Sequence, residues 1–224
     1  MTYGKVLSVN LAVPERSTAK NVGITGINKR PADRPVPVRA PGPRTTGLHS
    51  GLVGDQIFDV AHHGGDNQAV YAYAREDYDW WQAVLGRDLP PGRFGENLTT
   101  TGINVNGAVI GETWRIGADL LLSPTFGRIP CATFQAKMNE RRWIKRFTEA
   151  NRTGAYLRVV EPGWVKAGDP IEVVDRPAHG VTIAFGFRAY TSEPSLLPEL
   201  LRVEELPEEI RTSISKRLTR DARR

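Results

Sequence analysis

Residues 113–131 read TWRIGADLLLSPTFGRIPC, and this stretch decides the fold class. Polar and apolar residues alternate over 113–116, which predicts a half-exposed strand. The continuous apolar run inside 119–123 predicts a buried strand. Glycine (22 residues) and proline (16 residues) divide the rest of the chain into many short segments. This punctuation favours a fold rich in strands and turns.

The same signals predict six further strands and two helices outside this stretch. The strands are expected at 5–10, 36–40, 56–60, 69–74, 155–160 and 170–174. The first helix, Arg75–Leu85, has apolar residues at helical spacing and is followed by Gly86, a common helix end. The second is expected at about 138–150, with Ile144 and Phe147 on one face and basic residues on the other.

The pattern changes after a linker-like segment at 175–179. Short helices are predicted at 196–201 and 207–218. The leucines that can pack them together are Leu197, Leu200, Leu201 and Leu206. We therefore predict a mainly β (α+β) chain, with a β-rich domain at 1–175 and a small α-helical module at 176–224.

The composition excludes several classes of protein. Of the 224 residues, 40% are hydrophobic and 25% charged, a balance that argues against wholesale disorder. No apolar run approaches the ~18 residues of a membrane span, and no signal-peptide pattern precedes the first predicted strand, so we expect a cytoplasmic protein without a membrane partner. The net charge is +5, but acidic residues are interspersed with the cations. This favours a solvated basic surface over a nucleic-acid face.

Cys131 is the only cysteine in the sequence. A single thiol excludes an internal disulfide framework, a zinc site built from cysteines and an iron–sulfur cluster held by this chain alone. The residue follows Arg128-Ile-Pro and precedes a predicted helix, and both an arginine and a helix N-terminus favour the thiolate. A thiolate can attack sulfur, bind a soft metal or carry a persulfide. A buried and inert cysteine is the alternative interpretation.

Two loops contain groups suited to anions. The loop 28–47 presents five cations between prolines, Lys29 and Arg30 among them, and is either an anion-binding lid or an ordinary surface loop. His63-Gly-Gly can bring backbone N–H groups close to an anion. The adjacent His62 and His63 would point in opposite directions on a strand, which disfavours a metal site built from that pair.

A third polar segment, 91–100, is Pro-Gly-Arg-Phe-Gly-Glu-Asn-Leu-Thr-Thr. Two glycines allow it to turn tightly around Arg93. By itself the segment is typical of a hairpin loop whose polar side chains cap their own backbone.

Taken together, these segments resemble the MOSC domain, the C-terminal domain of molybdenum cofactor sulfurases. The similar blocks follow the family's order and spacing over 1–175, and they are His63-Gly-Gly-Asp66 with Gln68-Ala-Val70, Phe94-Gly-Glu-Asn-Leu98, Ile110-Gly-Glu112, Arg115-Ile-Gly117 and Arg128-x-Pro-Cys131. The stand-alone bacterial branch of YiiM type is the most similar. The chain departs from the family at Gln68, where a basic residue is common, and at Phe126-Gly127, which replaces a frequent Gln-Pro.

The resemblance implies a β-barrel with a few inserted helices and a small C-terminal helical module. It also implies binding of the molybdenum cofactor, a pterin with a dithiolene and a terminal phosphate. Pyridoxal phosphate binding is a further association of the family. In this family the cysteine that matches Cys131 either binds molybdenum or carries sulfur as a persulfide.

The residues assigned to the cofactor follow from this resemblance. The phosphate is expected to contact cations and backbone N–H groups, and the pterin is expected to contact amide and carboxylate groups. Cys131 is assigned to catalysis and to molybdenum. The cofactor-binding residues are Lys29, Arg30, His63, Gly64, Gly65, Asp66, Gln68, Arg93, Phe94, Glu96, Asn97 and Arg128. Glu96 has the alternative role of holding its loop in place.

The sequence and the resemblance leave three functions open. In the first, the chain reduces N-hydroxylated small molecules with electrons from a separate reductase, because the sequence has neither cluster cysteines nor a Gly-x-Gly-x-x-Gly fingerprint. In the second, Cys131 accepts sulfur from a cysteine desulfurase and transfers it to bound cofactor. In the third, the chain carries the cofactor without catalysis. A monomer and a homodimer are both compatible with the sequence.

Overall fold

The alternating and apolar runs of the sequence form a barrel with helices packed around it. The computed structural model describes residues 3–19 and 21–221. Within those ranges the strands are β1 (Tyr3–Ala12), β2 (Glu15–Arg16), β3 (Ile24–Thr25), β4 (Lys29–Pro31), β5 (Val36–Val38), β6 (Val70–Ala74), β7 (Leu98–Thr101), β8 (Thr113–Ile116), β9 (Leu120–Phe126), β10 (Ala155–Glu161), β11 (Gly163–Val165) and β12 (Pro170–Asp175). The helices are α1 (Arg75–Leu85), α2 (Ala132–Met138), α3 (Trp143–Ala150), α4 (Ile183–Thr191), α5 (Leu197–Leu200) and α6 (Glu208–Asp221).

Seven strands close the barrel in the order β12-β8-β9-β10-β6-β7-β1, because β1 pairs with β12 as well as with β7. β4 extends this sheet beyond β1, while β2–β3 and β5–β11 form separate pairs. The barrel pairings are antiparallel except β6–β7, where Ala72 lies opposite Leu98 in parallel register. A parallel pair needs a crossover connection, and α1 lies within it. β10 pairs with β6 so that Tyr156 lies opposite Tyr71.

The predicted class and seven of the eight predicted strands are confirmed. The strand expected at 56–60 is wrong, because that segment is an irregular loop. The carboxylate of Asp55 accepts the backbone N–H of Ala12 at 2.8 Å, so a side chain anchors the segment. Gly26 packs against the Gln56 carbonyl so closely that a Cβ there would clash with the oxygen.

The helix expected at 138–150 is also corrected. The helix in that span, α3, begins only at Trp143, because Asn139 ends the preceding helix α2 in the left-handed conformation (φ 52°) and Arg142 precedes α3 with φ 57°. Asparagine tolerates that conformation well, which explains the break. The first helix, α1, has the predicted bounds. The strand β7 lies where a hairpin loop was the simple interpretation of 91–100.

The C-terminal helices pack onto the barrel. Leu197, Leu200 and Leu206 are buried as expected, and they belong to the same hydrophobic cluster as the barrel interior. The helix α4 was not predicted, and its buried Phe187 and Ala189 help to join the two parts. The division into a domain at 1–175 and a module at 176–224 therefore stays a proposal.

A second hydrophobic cluster is almost entirely aromatic and lies where α1, α2 and α3 cover β6. Its rings include Tyr78, Trp81, Phe94, Phe134 and Trp143, packed edge-to-face or tilted at centroid distances of 4.6–6.4 Å. Such pairs add to the energy of burial, so this cluster is a rigid support for the segments attached to it. No described helix is long and apolar enough to cross a membrane.

Candidate functional site

A cavity opens between the β2–β3 hairpin, the loop that follows Asp55, and the segment between β9 and α2. Its polar floor is made by Cys131, Arg128, His63 and the ring of Tyr156. Its apolar lining residues are Val22, Ile24, Ile27, Ile57 and Phe58. A cavity with convergent polar groups and an apolar wall is typical of a small-molecule site.

Cys131 stands at the N-terminal end of α2, between β9 and the aromatic cluster. Burial raises the pKa of its thiol, but a hydrogen bond from His63, the charge of Arg128 and the backbone N–H of Phe134 outweigh burial and lower the pKa from 9.0 to about 6. The sulfur is therefore a thiolate at neutral pH. The structure favours this reactive thiolate over the inert cysteine considered as the alternative.

Arg128 is a buried cation beside this sulfur. Its guanidinium donates a hydrogen bond to the Phe94 carbonyl and lies 4.2 Å from the Phe134 ring centroid and 5.0 Å from that of Tyr71. No carboxylate in the described part of the chain forms an ion pair with it, and its Nε is buried without an acceptor. Burial lowers the pKa of Arg128, but the neighbouring phenols and the Cys131 sulfur raise it, so the group stays charged. An orphaned donor of this kind is suited to an anionic ligand.

Two tyrosines complete the floor. Burial raises the pKa of both Tyr71 and Tyr156, so their hydroxyls stay protonated at neutral pH. The Tyr71 hydroxyl donates to the Thr153 carbonyl at 2.7 Å, and the rings of the two tyrosines lie 5.2 Å apart. The two tyrosines are brought together by the pairing of β6 with β10, and no single sequence motif contains both.

Lys29 is neutralised within the site. Its Nζ lies 2.5 Å from Oδ1 of Asp55, and their side chains are only 6% and 1% exposed. Burial raises the pKa of Asp55, but the charge of Lys29 and hydrogen bonds from Lys29, Ser50 and Asn97 lower it overall. The expectation that Lys29 supplies a free charge to a phosphate is therefore not supported by the geometry. Its charge balances a carboxylate that the sequence analysis had not singled out.

Asn97 is fixed by the same network. Its Nδ2 donates to Oδ2 of Asp55 at 2.9 Å, and its Oδ1 accepts the backbone N–H of Tyr71 at 3.1 Å. The side chain thus ties the loop before β7 to β6 and to the Asp55 carboxylate. It lines the cavity as expected, in a single defined orientation.

The glycine turn after His63 is tight, but it is not an open anion nest. The backbone N–H of Gly64 donates to Gln68 Oε1 at 3.2 Å, that of Gly65 to the His49 carbonyl at 2.9 Å, and that of Asp66 to the Gly42 carbonyl at 3.1 Å. Because these donors are used internally, the turn has no free N–H at those three positions for a phosphate. The glycines are needed for close approach, since a Cβ on Gly64 would lie 2.7 Å from the His49 oxygen.

Glu96 is enclosed by the protein. Its carboxylate accepts hydrogen bonds from the Gly92 N–H at 2.6 Å, the Tyr78 hydroxyl at 2.7 Å and the Thr99 hydroxyl at 2.7 Å. These donors hold the loop whose Phe94 carbonyl accepts from Arg128. The alternative considered for Glu96, a role in holding the loop, is the one that this geometry favours.

The structure thus brings together seven of the assigned residues, and the other six lie away from the cavity lining. The residues at the cavity are Lys29, His63, Gly64, Gln68, Asn97, Arg128 and Cys131. The others are Arg30, Gly65, Asp66, Arg93, Phe94 and Glu96. Arg30 and Asp66 face solvent, the Arg93 guanidinium donates to the Lys137 carbonyl at 3.0 Å, and the Phe94 ring is in the aromatic cluster.

Three lining residues that affect the charge of the site were not predicted from the sequence, and they are Asp55, Tyr71 and Tyr156. Asp55 ends the Gly-Leu-Val-Gly-Asp run, and a buried carboxylate opposite a lysine could have been sought there. Tyr156 lies in Gly154-Ala-Tyr-Leu-Arg158, a block that is part of the resemblance to the YiiM-type branch but to which no site role was assigned.

The lining residues fit the molybdenum cofactor at its metal end. A thiolate is a preferred ligand of soft metals, and the orphaned Nε of Arg128 provides a buried donor for an anionic group beside it. The phosphate end has fewer partners, because Lys29 is paired and the glycine turn is closed. No group of three or more His, Cys, Asp or Glu residues in the described ranges could hold a metal without such a cofactor.

The family model of the MOSC domain matches residues 59–172. The chain is 30% identical over 219 residues to "Uncharacterized protein YflK" of Bacillus subtilis (strain 168), covering 96% of this chain and 95% of that protein. It is 32% identical over 135 residues to a "Reductase" of Gibberella moniliformis (strain M3125 / FGSC 7600), covering 57% of this chain and 23% of that longer protein. The crystal structure of YiiM from Geobacillus stearothermophilus has the same fold, with a TM-score of 0.76 at 24% identity, covering 96% of this chain and 99% of that one.

Proposed function

The chain belongs to the MOSC domain family, and from that premise we propose that it binds the molybdenum cofactor and reduces N-hydroxylated small molecules. The observation that carries the proposal is the Cys131 thiolate, with its pKa lowered to about 6, beside the buried Arg128 guanidinium, whose Nε has no acceptor, in the lining of one cavity. This pairing provides a soft ligand for a metal and a donor for an anion at one point.

The proposed reaction removes oxygen from an N–OH group. The N–O bond breaks, two electrons and two protons are taken up, and the products are the N–H compound and water. The bound cofactor supplies the two-electron oxygen chemistry. A separate reductase supplies the electrons, because the sequence has neither cluster cysteines nor a dinucleotide fingerprint.

The residues at the cavity have different parts in this proposal. Cys131 would hold the metal through its sulfur. His63 and Arg128 keep that sulfur deprotonated, and Arg128 also holds the loop at the Phe94 carbonyl. Asn97, whose amide is held by Asp55 and the Asn10 carbonyl, keeps the polar lining of the cavity in place.

The relative from Gibberella moniliformis is named a reductase, which supports an oxidoreductase over a carrier. Pyridoxal phosphate binding stays a family-level expectation and has no part in the proposed reaction.

Sulfur transfer is the second candidate, and one observation favours it. A cysteine that is a thiolate at neutral pH and lines an open cavity can hold a persulfide and pass the outer sulfur to an acceptor. The donor would be a separate cysteine desulfurase. This reaction needs no metal on the resting protein, which separates it from the first candidate.

The test is an activity assay with added electron donors. Protein purified from a molybdenum-replete host is mixed with candidate reductases, NADH and an N-hydroxylated substrate, and the reduced product is measured. The proposal predicts turnover that requires both proteins and is lost in Cys131→Ser. Turnover by the chain alone with NADH would contradict it, as would full activity of Cys131→Ser.

A further inference from the structure

A basic surface surrounds the turn between α2 and α3. It is formed by residues 87–93 and 137–149, and we call it the α2–α3 surface. These two segments carry seven cations and three carboxylates, a net charge of +4. The cations are Arg87, Arg93, Lys137, Arg141, Arg142, Lys145 and Arg146. The proposed function gives none of this charge a role except through Arg93, which the resemblance assigned to the cofactor and which lies away from the cavity lining.

The two segments are held together by their own hydrogen bonds and ion pairs. The guanidinium groups of Arg87 and Arg93 donate to the last two carbonyls of α2, at 2.6 and 3.0 Å. Arg87 and Arg146 share the carboxylate of Glu140, at 3.1 and 3.2 Å. The cations are therefore fixed around the end of α2, and two of them are balanced by one negative charge.

Two adjacent cations of this surface have no partner among the described residues. Arg141 and Arg142 are both exposed, and no described carboxylate forms an ion pair with either. Arg142 has φ 57°, a left-handed conformation that costs free energy for most residues other than glycine and asparagine. Because backbone geometry disfavours an arginine there and no described contact requires one, folding does not explain this pair. An anionic partner outside the chain does.

Packed side chains connect this surface to Cys131. The helix α2 begins directly after Cys131 and has seven residues, so it spans about 10 Å at 1.5 Å per residue. Trp143, which follows Arg142, packs against Phe134 with ring centroids 5.4 Å apart. The Phe134 ring lies 4.2 Å from the Arg128 guanidinium at the cavity. Electron transfer falls off steeply with distance and is faster through packed protein than across a gap, so a donor seated on this surface is well placed for the proposed metal ligand.

A partner on the α2–α3 surface would leave both cavities open. No residue of 87–93 or 137–149 lines either cavity, so electrons and a small molecule can reach Cys131 by different routes. The segment 193–209 of the C-terminal module carries six carboxylates and one arginine. An acidic partner is attracted by the α2–α3 surface and repelled by that segment, which orients its approach.

We propose that the α2–α3 surface is the docking site of an acidic electron-transfer protein. This inference rests on the proposed function, and it states the chemistry of the separate electron donor. For each N–O bond broken, two electrons pass from the reduced partner to the bound cofactor, the partner leaves oxidised, and two protons come from water. The contact is of the weak, charge-steered kind typical of electron-transfer encounters.

A nucleic acid or an anionic membrane is the other class of partner that cations attract. Neither supplies electrons. The carboxylates of Glu140 and Glu149 also interrupt the cations, because each forms an ion pair within the surface. A phosphate backbone favours cations without such interruptions.

The test measures binding by the full-length protein without cofactor, so it does not depend on turnover. The probes are a small acidic [2Fe–2S] ferredoxin and the basic electron carrier cytochrome c, titrated by calorimetry at low ionic strength. Wild type should bind the ferredoxin and not cytochrome c, and about 0.5 M salt should abolish the binding. Arg141→Glu/Arg142→Glu should weaken ferredoxin binding about tenfold or more. Glutamate at 142 meets the same backbone conformation as arginine, and thermal unfolding confirms that the variant is folded.

Arg202→Glu/Lys216→Glu is the matched control. Both residues are exposed, lie in the C-terminal module and give the same change in net charge. This variant should bind ferredoxin within about twofold of wild type. Absence of ferredoxin binding by wild type would overturn the inference, and so would an equal loss in the two double variants.

Two further measurements separate the remaining outcomes. Tighter binding of a short DNA duplex or of phosphatidylglycerol vesicles than of ferredoxin would overturn the inference in favour of those partners. In protein loaded with molybdenum, Arg141→Glu/Arg142→Glu should raise the KM for reduced ferredoxin and leave kcat unchanged. Variant-sensitive binding without any turnover would support the docking site and count against the proposed function alone.

Discussion

The side chain of His63 hydrogen-bonds the sulfur of Cys131, joining the glycine turn to the start of α2. Neither residue is unusual in isolation. Their contact, together with the charge of Arg128, overcomes the effect of burial and makes the only cysteine of the chain an anion. The proposed chemistry depends on that arrangement.

The first prediction concerns the titration of this thiol. Thiolate absorbance near 240 nm, or the rate of alkylation by iodoacetamide, should rise with pH to half its maximum at about pH 6. His63→Ala removes the hydrogen bond and should move the midpoint upwards. His62→Ala is the control, because His62 is exposed and contacts Asp59 at 2.8 Å. A wild-type midpoint above pH 8 would contradict the account.

The pH dependence of stability follows from the same shift. The folded pKa of Cys131 is about 6 and an unfolded cysteine titrates near 8.5. Because the folded value is depressed, the stabilisation is complete above the unfolded pKa and is lost as pH falls through about 6. The free energy of unfolding of wild type relative to Cys131→Ser should therefore be greater at pH 9 than at pH 5. Urea unfolding at both pH values measures this, and a difference that does not change with pH would refute it.

How much of this site could be predicted depends on how far apart in sequence the contacting residues lie. The bounds of α1 and the position of Cys131 between a strand and a helix come from local patterns, and both were predicted correctly. The role of Lys29 could not be predicted from the sequence, because its partner Asp55 is distant in sequence and the pair forms only in the folded barrel.

The glycine turn illustrates the same limit. His63-Gly-Gly has the composition of an anion nest, but carbonyls of His49 and Gly42 accept two of its N–H groups. Those carbonyls are brought there by tertiary structure. The second predicted helix began too early, at 138, because the apolar pattern carries no signal for the left-handed conformations of Asn139 and Arg142, which separate α2 from α3.

The buried pair of Lys29 and Asp55 gives a prediction on stability. Lys29→Met leaves an unpaired buried carboxylate and should cost about 3 kcal/mol of unfolding free energy. The double variant Lys29→Met/Asp55→Asn should recover part of that loss. Arg30→Met, at the adjacent exposed position, should stay within about 0.5 kcal/mol of wild type. Chemical denaturation decides, and equal effects at positions 29 and 30 would be incompatible with the buried pair.

The buried carboxylate of Glu96 gives another prediction on stability. Glu96→Gln keeps the size of the side chain but replaces one acceptor oxygen with an N–H donor, so one of its three donors loses its partner. We expect a loss of about 1–3 kcal/mol in the free energy of unfolding. Glu149→Gln is the control, since that side chain is 62% exposed. If both variants unfold like wild type, Glu96 does not hold its loop.

The central claim is that Cys131 binds molybdenum. The most direct measurement is the molybdenum and pterin content of wild type and Cys131→Ser, purified side by side from a molybdenum-replete host. The account predicts metal and pterin together in wild type and loss of the metal in the variant. Absence of molybdenum from both proteins, with a wild-type mass increase of one sulfur on Cys131, would contradict it and favour sulfur transfer.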